Sequence, residues 1–168
     1  MALYTLHDSP LGELLLTGEE SPGGTVLTSL SMPGRRGAPG TGPGMRRDER
    51  AFAVATARLD AYFAGRLTRF ELPLSAAGSE FRQRVWRALD DIPYGTTTTY
   101  GALAERLGVP RAEIRALAAA VGVNPLLLVR PCHRVIGADG SMRGYAGGVE
   151  RKVRLLTHEG ALQPLPVG

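Results

Sequence analysis

Tyr100-Gly101-Ala102-Leu103-Ala104-Glu105-Arg106-Leu107-Gly108-Val109-Pro110, continued by Arg111-Ala112-Glu113-Ile114-Arg115-Ala116-Leu117-Ala118-Ala119-Ala120-Val121, reads as a helix, a tight turn and a second helix. Gly108 stands where a helix can end in the left-handed conformation without a Cβ clash. Val109-Pro110 then turns the chain, which gives the helix-turn-helix pattern. On the second helix Ile114, Leu117 and Val121 face inward by their i, i+3, i+7 spacing. The opposite side carries Arg115, Ala116, Ala118, Ala119 and Gly122, one arginine among very small residues. A helix that reads base edges in the major groove shows several polar side chains, and this one does not. Two readings stay open: a face that approaches a nucleic-acid backbone closely with Arg115 inserted, or an alanine-rich core helix with one solvated arginine.

Just beyond lies Asn124-Pro125-Leu126-Leu127-Leu128-Val129-Arg130-Pro131-Cys132-His133-Arg134-Val135-Ile136-Gly137, which holds the only cysteine in 168 residues. An apolar run carries the cysteine in and a histidine follows it at once. A thiol beside an imidazole is a candidate activated nucleophile. A buried free cysteine that packs as a small hydrophobe is the alternative.

Upstream of the two helices, Ser79 is a candidate N-cap for a helix with Phe81, Val85, Trp86 and Leu89 on one face, ended at Ile92-Pro93-Tyr94-Gly95. Ser75-Ala76-Ala77-Gly78 reads as a linker before it. The first half reads differently. Leu3–His7, Glu13–Thr17 and Thr25–Leu30 read as short strands, separated by turns at Ser9-Pro10-Leu11-Gly12 and Ser21-Pro22-Gly23-Gly24, an antiparallel meander. Residues 33–44, rich in Gly and Pro, predict a flexible loop. Helical spacing runs from Arg47 to Ala64, with Phe52, Ala55, Leu59, Tyr62 and Phe63 on one side and Gly65 as the stop. Phe70–Leu74 reads as a last edge strand. This half gathers no catalytic side chains, so its expected role is support. The fold class is therefore α+β: an N-terminal antiparallel-sheet domain with a helix over residues 1–75, a mainly helical domain with the helix-turn-helix over 79–161, and a tail over 162–168.

The charge divides along the same line. Residues 1–77 hold 8 Arg and 8 Asp/Glu, whereas residues 78–168 hold 11 Arg, 1 Lys and 8 Asp/Glu and carry the whole net charge of +4. A basic half that also holds the cysteine points to a polyanionic partner; a coding preference for arginine over lysine gives the same count. One cysteine excludes an intramolecular disulfide and a cysteine-cluster metal site. No stretch approaches the ~20 apolar residues of a membrane span, and Met1-Ala2-Leu3-Tyr4-Thr5-Leu6-His7-Asp8 lacks the basic start and apolar core of a signal peptide. The expectation is a cytoplasmic protein without membrane association.

At Pro131-Cys132-His133-Arg134-Val135 the chain resembles the O6-alkylguanine-DNA alkyltransferases, or methylated-DNA–protein-cysteine methyltransferases. The resemblance runs over roughly residues 79–160. It includes Phe81, Val85-Trp86, Ile92-Pro93-Tyr94-Gly95, Thr97, Tyr100, Leu103-Ala104, Arg115-Ala116, Asn124-Pro125, Gly144-Tyr145-Ala146-Gly147-Gly148, Lys152, Leu155-Leu156 and His158-Glu159-Gly160. In the first half only Ser9-Pro10-Leu11-Gly12 and the general layout match. The resemblance implies a ribonuclease H-like first domain. It implies single-turnover transfer of a methyl or other alkyl group from O6-alkylguanine, and less well O4-alkylthymine, in double-stranded DNA to Cys132, after the nucleotide is flipped out through the minor groove.

The same resemblance assigns roles. Cys132 attacks as thiolate, and a free thiol with pKa ~8.5 is mostly protonated at neutral pH. His133 takes its proton through a water and Glu159 orients the imidazole. Tyr100 protonates or hydrogen-bonds the departing guanine. Asn124 holds the helix-turn-helix against the active-site strand. Thr97, Arg115, Ala116, Arg134, Tyr145, Gly147 and Lys152 are implied DNA contacts, Arg115 filling the vacated base position. Val135 by its carbonyl, with Gly144, Tyr145 and Ala146, walls the base pocket. The thioether has no leaving route, so the protein is consumed. No cofactor or metal is implied, and the expected solution state is a monomer.

Two residues depart from the family's pattern. Arg130 stands where an apolar residue usually precedes Pro-Cys-His-Arg. In a strand-like segment it would share a face with Cys132 by period two; lowering the thiol pKa, contacting phosphate and pointing to solvent all remain open for it. Val123 replaces a smaller residue before Asn124. Rival readings are a non-catalytic sensor of alkylated DNA, a helix-turn-helix transcription factor and a cysteine hydrolase. The sensor lacks the cysteine in known relatives, the transcription factor needs base-reading side chains that residues 111–122 do not offer, and the hydrolase needs a glycine-rich oxyanion turn.

Overall fold

A computed structural model describes residues 2–34, 42–142 and 144–162. The chain forms two compact units, Met1–Ala77 with Pro125–Val129, and Gly78–Asn124 with Arg130–Gly168.

In the first unit β1 (Ala2–Ser9), β2 (Gly12–Ser21) and β3 (Gly24–Ser31) form the expected antiparallel meander. The register shifts between Thr17 and Gly18, where a Cβ on residue 18 would lie 2.7 Å from the Val26 carbonyl oxygen. Only glycine fits so close to a neighbouring backbone. A strand that the sequence pattern does not reveal, β4 (Met45–Arg47), pairs parallel with β1 and gives the order β3-β2-β1-β4. The segment expected as one helix from Arg47 is therefore divided. Arg47 ends β4, Arg50–Phe52 make a 3-10 turn, and α1 spans Ala53–Phe63. Phe52, Ala55, Leu59 and Tyr62 are buried, so the predicted apolar face is present from its second turn on. Gly65 stops the helix with a positive φ of 76°.

Phe70–Leu74 do not form a strand. Leu27 N–H donates to the Pro73 carbonyl at 2.9 Å and Ser75 N–H to the Leu27 carbonyl at 3.0 Å, a single bridge at Leu74. Pro73 has no N–H to extend the ladder. Another backbone partner of β3 comes from far along the sequence: Leu30 N–H donates to the Pro125 carbonyl at 2.9 Å and Leu127 N–H to the Leu30 carbonyl at 3.2 Å. The apolar run before Arg130 thus belongs to the first unit, although the sequence reading places all of 79–161 in the second. Its Leu126, Leu127 and Leu128 are fully buried there. Residues 35–41 of the expected 33–44 loop, and residues 163–168 of the expected tail, lie outside the described residues.

The second unit is mainly helical. α2 (Glu80–Leu89) is capped by Ser79, whose Oγ accepts from Arg82 N–H at 3.2 Å. It buries Val85, Trp86, Ala88 and Leu89. Trp86 Nε1 donates to the Ala120 carbonyl at 2.8 Å and so joins α2 to the second helix of the helix-turn-helix. α3 (Tyr100–Leu107) is capped by Thr99, whose Oγ1 accepts from Ala102 N–H, and ends at Gly108 with φ 68°. α4 (Ile114–Gly122) follows a 3-10 turn at Arg111–Glu113. It buries Leu117, Ala120 and Val121 and leaves Arg115, Ala116 and Ala119 exposed. Thr98–Thr99 (β5) and Val135–Ile136 (β6) pair in parallel. α5 (Val149–His158) closes the unit. Among the described residues no helix is long and apolar enough to cross a membrane.

Candidate active site

Cys132 opens a 3-10 turn, Cys132–Arg134, that drops directly into β6. The expected strand with Arg130 and Cys132 on one face does not form. Pro131 adopts φ −80°, ψ 62°, which bends the chain, and Cys132 N–H closes back on the Arg130 carbonyl at 2.8 Å. The turn places three successive side chains in three environments. Cys132 is buried. His133 is fully enclosed, and Arg134 reaches the same carboxylate as its neighbour.

Glu159, the residue after α5, is the anchor. Its Oε2 lies 2.8 Å from His133 Nε2 and accepts from Arg134 Nη2 at 3.1 Å, while its Oε1 accepts from Arg134 Nε at 2.8 Å. Both carboxylate oxygens are thus engaged, and the Glu159 side chain is 0% exposed. A carboxylate without solvent needs such charge-assisted partners. Arg134 Nη1 also donates to the Ile92 carbonyl at 2.6 Å, and its guanidinium lies 5.7 Å from the centre of the Tyr94 ring. These internal bonds engage Nε, Nη1 and Nη2, and the residue is 6% exposed. Arg134, expected as a DNA contact, is here paired with Glu159.

Burial lowers the His133 pKa below its ordinary value; the Glu159 hydrogen bond and charge oppose the shift, and the Arg134 and Lys152 charges add to it. The imidazole is therefore neutral near pH 7 and able to accept a proton. With Nε2 turned to Glu159, Nδ1 is the other ring atom, buried and without a hydrogen-bond partner among the described residues. The His133 ring meets that of Tyr145 edge-on at 6.4 Å between centres.

Two further groups would feel the charge of Cys132 when it ionises. Tyr100, the first residue of α3, has its pKa raised by burial and then by that charge, so its hydroxyl keeps its proton at neutral pH. Lys152 on α5 has its pKa lowered by burial, with Cys132 opposing. Lys152 is 1% exposed and its Nζ donates to the Val135 carbonyl at 2.6 Å. Lys152, also expected as a DNA contact, makes this internal bond. A carbonyl has two lone pairs, so Val135 can still accept a second donor. A Cβ at Gly144, where φ is 93°, would come within 3.2 Å of the Tyr100 hydroxyl. Glycine there leaves the Tyr100 oxygen approachable. Tyr145 is buried and Ala146 half-buried; Gly147 is also buried, its carbonyl accepting from Arg151 Nη1 at 3.0 Å.

Asn124 is fully buried at the end of α4, and its Nδ2 donates to the Arg130 carbonyl at 3.0 Å. Arg130 itself, one of the two departures, is buried and stands 3.6 Å from Asp90. It neither points to solvent nor is open to phosphate. Arg115, Ala116 and Thr97 are exposed on the same unit. Of the functional groups, the Arg134–Glu159 pair is the one sequence reasoning missed; the adjacency of Arg134 to His133 was its only signal. Among the described residues no three His, Cys, Asp or Glu side chains are grouped to hold a metal ion.

A buried thiol whose neighbouring imidazole is oriented by a carboxylate, in the same unit as a helix-turn-helix, defines a candidate cysteine nucleophile carried on a DNA-binding module. Residues 80–161 match the model for the 6-O-methylguanine DNA methyltransferase DNA-binding domain, and residues 2–76 match the ribonuclease-like domain of the same proteins. A methylated-DNA–protein-cysteine methyltransferase of Mycolicibacterium paratuberculosis is 49% identical, over 95% of this chain and 93% of its own length. The solved Mycobacterium tuberculosis O6-methylguanine methyltransferase is 43% identical with a TM-score of 0.84, covering 99% of this chain and 97% of that chain. A Mycobacterium tuberculosis structure solved in complex with DNA is 44% identical with a TM-score of 0.85, covering 95% and 93%. The chain belongs to the 6-O-methylguanine DNA methyltransferase family. Its activity at the coarsest level is DNA repair by alkyl transfer.

Proposed function

We propose that the protein takes a methyl or other alkyl group from O6-alkylguanine, and less readily from O4-alkylthymine, in duplex DNA onto Cys132 Sγ. The bond from guanine O6 to the alkyl carbon breaks as the S–C bond forms. The thiol proton goes to His133 through a water, and the departing guanine anion takes a proton from the Tyr100 hydroxyl, which His133 finally restores. The observation that carries this reading is the buried Cys132-His133 pair with His133 Nε2 held 2.8 Å from Glu159. A neutral imidazole backed by a carboxylate can accept a thiol proton and stabilise the charge it gains. The raised Tyr100 pKa keeps that phenol protonated, and so a hydrogen-bond donor to the guanine, up to the moment of transfer.

Guanine O6 lies inside the base stack, so the nucleotide is flipped out to reach the thiol. The exposed Arg115 and Ala116 of α4 suit a minor-groove approach, in which small residues allow close contact and an arginine occupies the vacated space. Thr97 belongs to the same exposed set. Gly144, Tyr145 and Ala146 form the wall of the base pocket, and the second lone pair of the Val135 carbonyl accepts from the guanine amine. Asn124 couples α4 to the cysteine turn. Each molecule acts once, as a monomer, since the thioether does not leave.

The test is the intact mass of the protein after exposure to a duplex bearing one O6-methylguanine. A gain of one methyl group that disappears in Cys132→Ser is expected. An unchanged mass in a folded, DNA-binding protein overturns the reading in favour of a lesion binder.

A further inference from the structure

Two hydrogen bonds to one carbonyl single out Arg130. Its main-chain oxygen accepts from Asn124 Nδ2 at 3.0 Å and from Cys132 N–H at 2.8 Å. The end of α4 and the amide of the acceptor cysteine therefore meet at this peptide and are set by its position. The side chain of the same residue is also held. It is 8% exposed, and its Nε and Nη1 are buried without a hydrogen bond. The anionic oxygen standing near is Asp90 Oδ1, 3.6 Å from Nε. Asp90 follows α2 as its C-cap, on a helix fixed to α4 through Trp86. A buried guanidinium with so few hydrogen bonds is costly unless a counter-charge holds it, so the side chain is bound to stay where Asp90 is.

We propose that Arg130 is a positioning residue for the transfer: its side chain, paired with Asp90, fixes the peptide that presents the Cys132 thiol. Resting on the alkyl-transfer reading, this adds to it a link from α2 through Arg130 to the cysteine turn. The link does not touch the substrate. Its loss loosens the geometry of in-line attack while leaving DNA binding intact, and displacements of about an ångström at a reacting atom cost rate steeply.

The experiment is a double-mutant cycle on the full chain with Arg130→Met, Asp90→Asn and the double variant. Arg130→Met keeps an apolar stem of similar reach, and Asp90 is half-exposed, so Asp90→Asn supplies a folded variant in any case. The readouts are the single-turnover transfer constant at saturating O6-methylguanine duplex, the dissociation constant for that duplex, and the rate at which iodoacetamide alkylates Cys132 without DNA. Each single variant is expected to transfer about tenfold more slowly, with the dissociation constant unchanged. The double variant is expected to be no slower than either single one, as for two ends of one interaction, and Arg130→Lys is expected to recover most of the rate. Wild-type transfer by Arg130→Met or Asp90→Asn, losses that multiply in the double variant, or a defect confined to DNA affinity would each overturn the proposal. Failure of the wild-type protein to transfer at all would strike the underlying function instead, and the wild-type control separates the two.

Discussion

Replacing Glu159 by Gln keeps the shape of the side chain and removes its charge, and the geometry of the site sets separate costs for stability and for transfer. Glu159 accepts three hydrogen bonds, one from His133 and two from Arg134, with its side chain fully enclosed. The amide retains one acceptor oxygen. It cannot serve both Arg134 Nε and the His133–Arg134 side at once, and its NH2 would face a donor. Removing one member of a buried pair costs about 3–5 kcal/mol because the other charge is stranded. Arg134 keeps its bond to the Ile92 carbonyl, which puts the expected loss of stability near the lower end, about 3 kcal/mol.

The effect on transfer is separable. Glu159 raises the His133 pKa by its hydrogen bond and its charge, against the dominant burial that lowers it. Without the carboxylate the imidazole is a still weaker base, and the imidazolium formed when it takes the thiol proton loses a charged hydrogen bond. Such bonds are worth about 1.5–3 kcal/mol, which corresponds to transfer slower by about tenfold to a hundredfold at pH 7. The assay is rapid-quench single turnover with labelled O6-methylguanine duplex, at a temperature where urea titration shows the variant folded. The acid limb of the rate profile should move to lower pH in Glu159→Gln and to higher pH in Arg134→Met, because Arg134 lowers the His133 pKa. A folded Glu159→Gln protein that transfers at the wild-type rate would refute the assignment of His133 as base, whatever its stability.

Three other outcomes are expected from the same geometry. The His133 pKa is below its ordinary value in the folded protein, so between that value and about 6.5 the unfolded chain binds the extra proton; stability is fully present above about pH 6.5 and is lost as pH falls below it, and urea titrations should show this dependence weakened in His133→Gln. Lys152→Met removes a buried cation that interacts with Cys132, and its thiol should react more slowly with iodoacetamide at neutral pH, while thermal stability changes by less than about 2 kcal/mol since a buried ammonium is replaced by an apolar chain of similar length. Gly78→Ala would put a Cβ 2.7 Å from the end of the Trp86 ring; the indole is fixed by its bond to Ala120, so the variant should lose about 1–3 kcal/mol in urea unfolding, and an unchanged midpoint would show that the ring can shift.

How far the sequence spoke for itself depends on what decides each feature. The caps at Ser79 and Thr99 and the stop at Gly108 are local, and of these the spacing predicted Ser79 and Gly108 correctly. The meander was legible because each strand is a short apolar run and each turn carries its own Gly or Pro. β4 was hidden: three residues with two arginines show no alternation, and their pairing to β1 is decided elsewhere in the chain. Leu126–Leu128 reads as any buried run, and nothing local says that its partner is Leu30. The cysteine turn misled for another reason. Period two does not carry across Pro131, whose backbone breaks the alternation.

The charge count shows the same limit in a form that bears on function. All of the net positive charge lies in residues 78–168, and that asymmetry pointed to a polyanion. Yet Arg130, Arg134 and Lys152, the cations that flank the acceptor cysteine in sequence or in space, are buried. Arg134 is neutralised by Glu159, Arg130 faces Asp90, and Lys152 is bonded to a carbonyl. Buried and paired charges contribute little to the field outside the protein, whereas exposed ones act over about a Debye length. The field available to DNA therefore comes from the exposed arginines, among them Arg82, Arg84, Arg87, Arg111 and Arg115 on α2, the turn before α4 and α4 itself. Composition found the right half of the molecule for a reason that is only partly the right one: some of its arginines face outward and would draw DNA in, and the others hold a histidine and a cysteine in place.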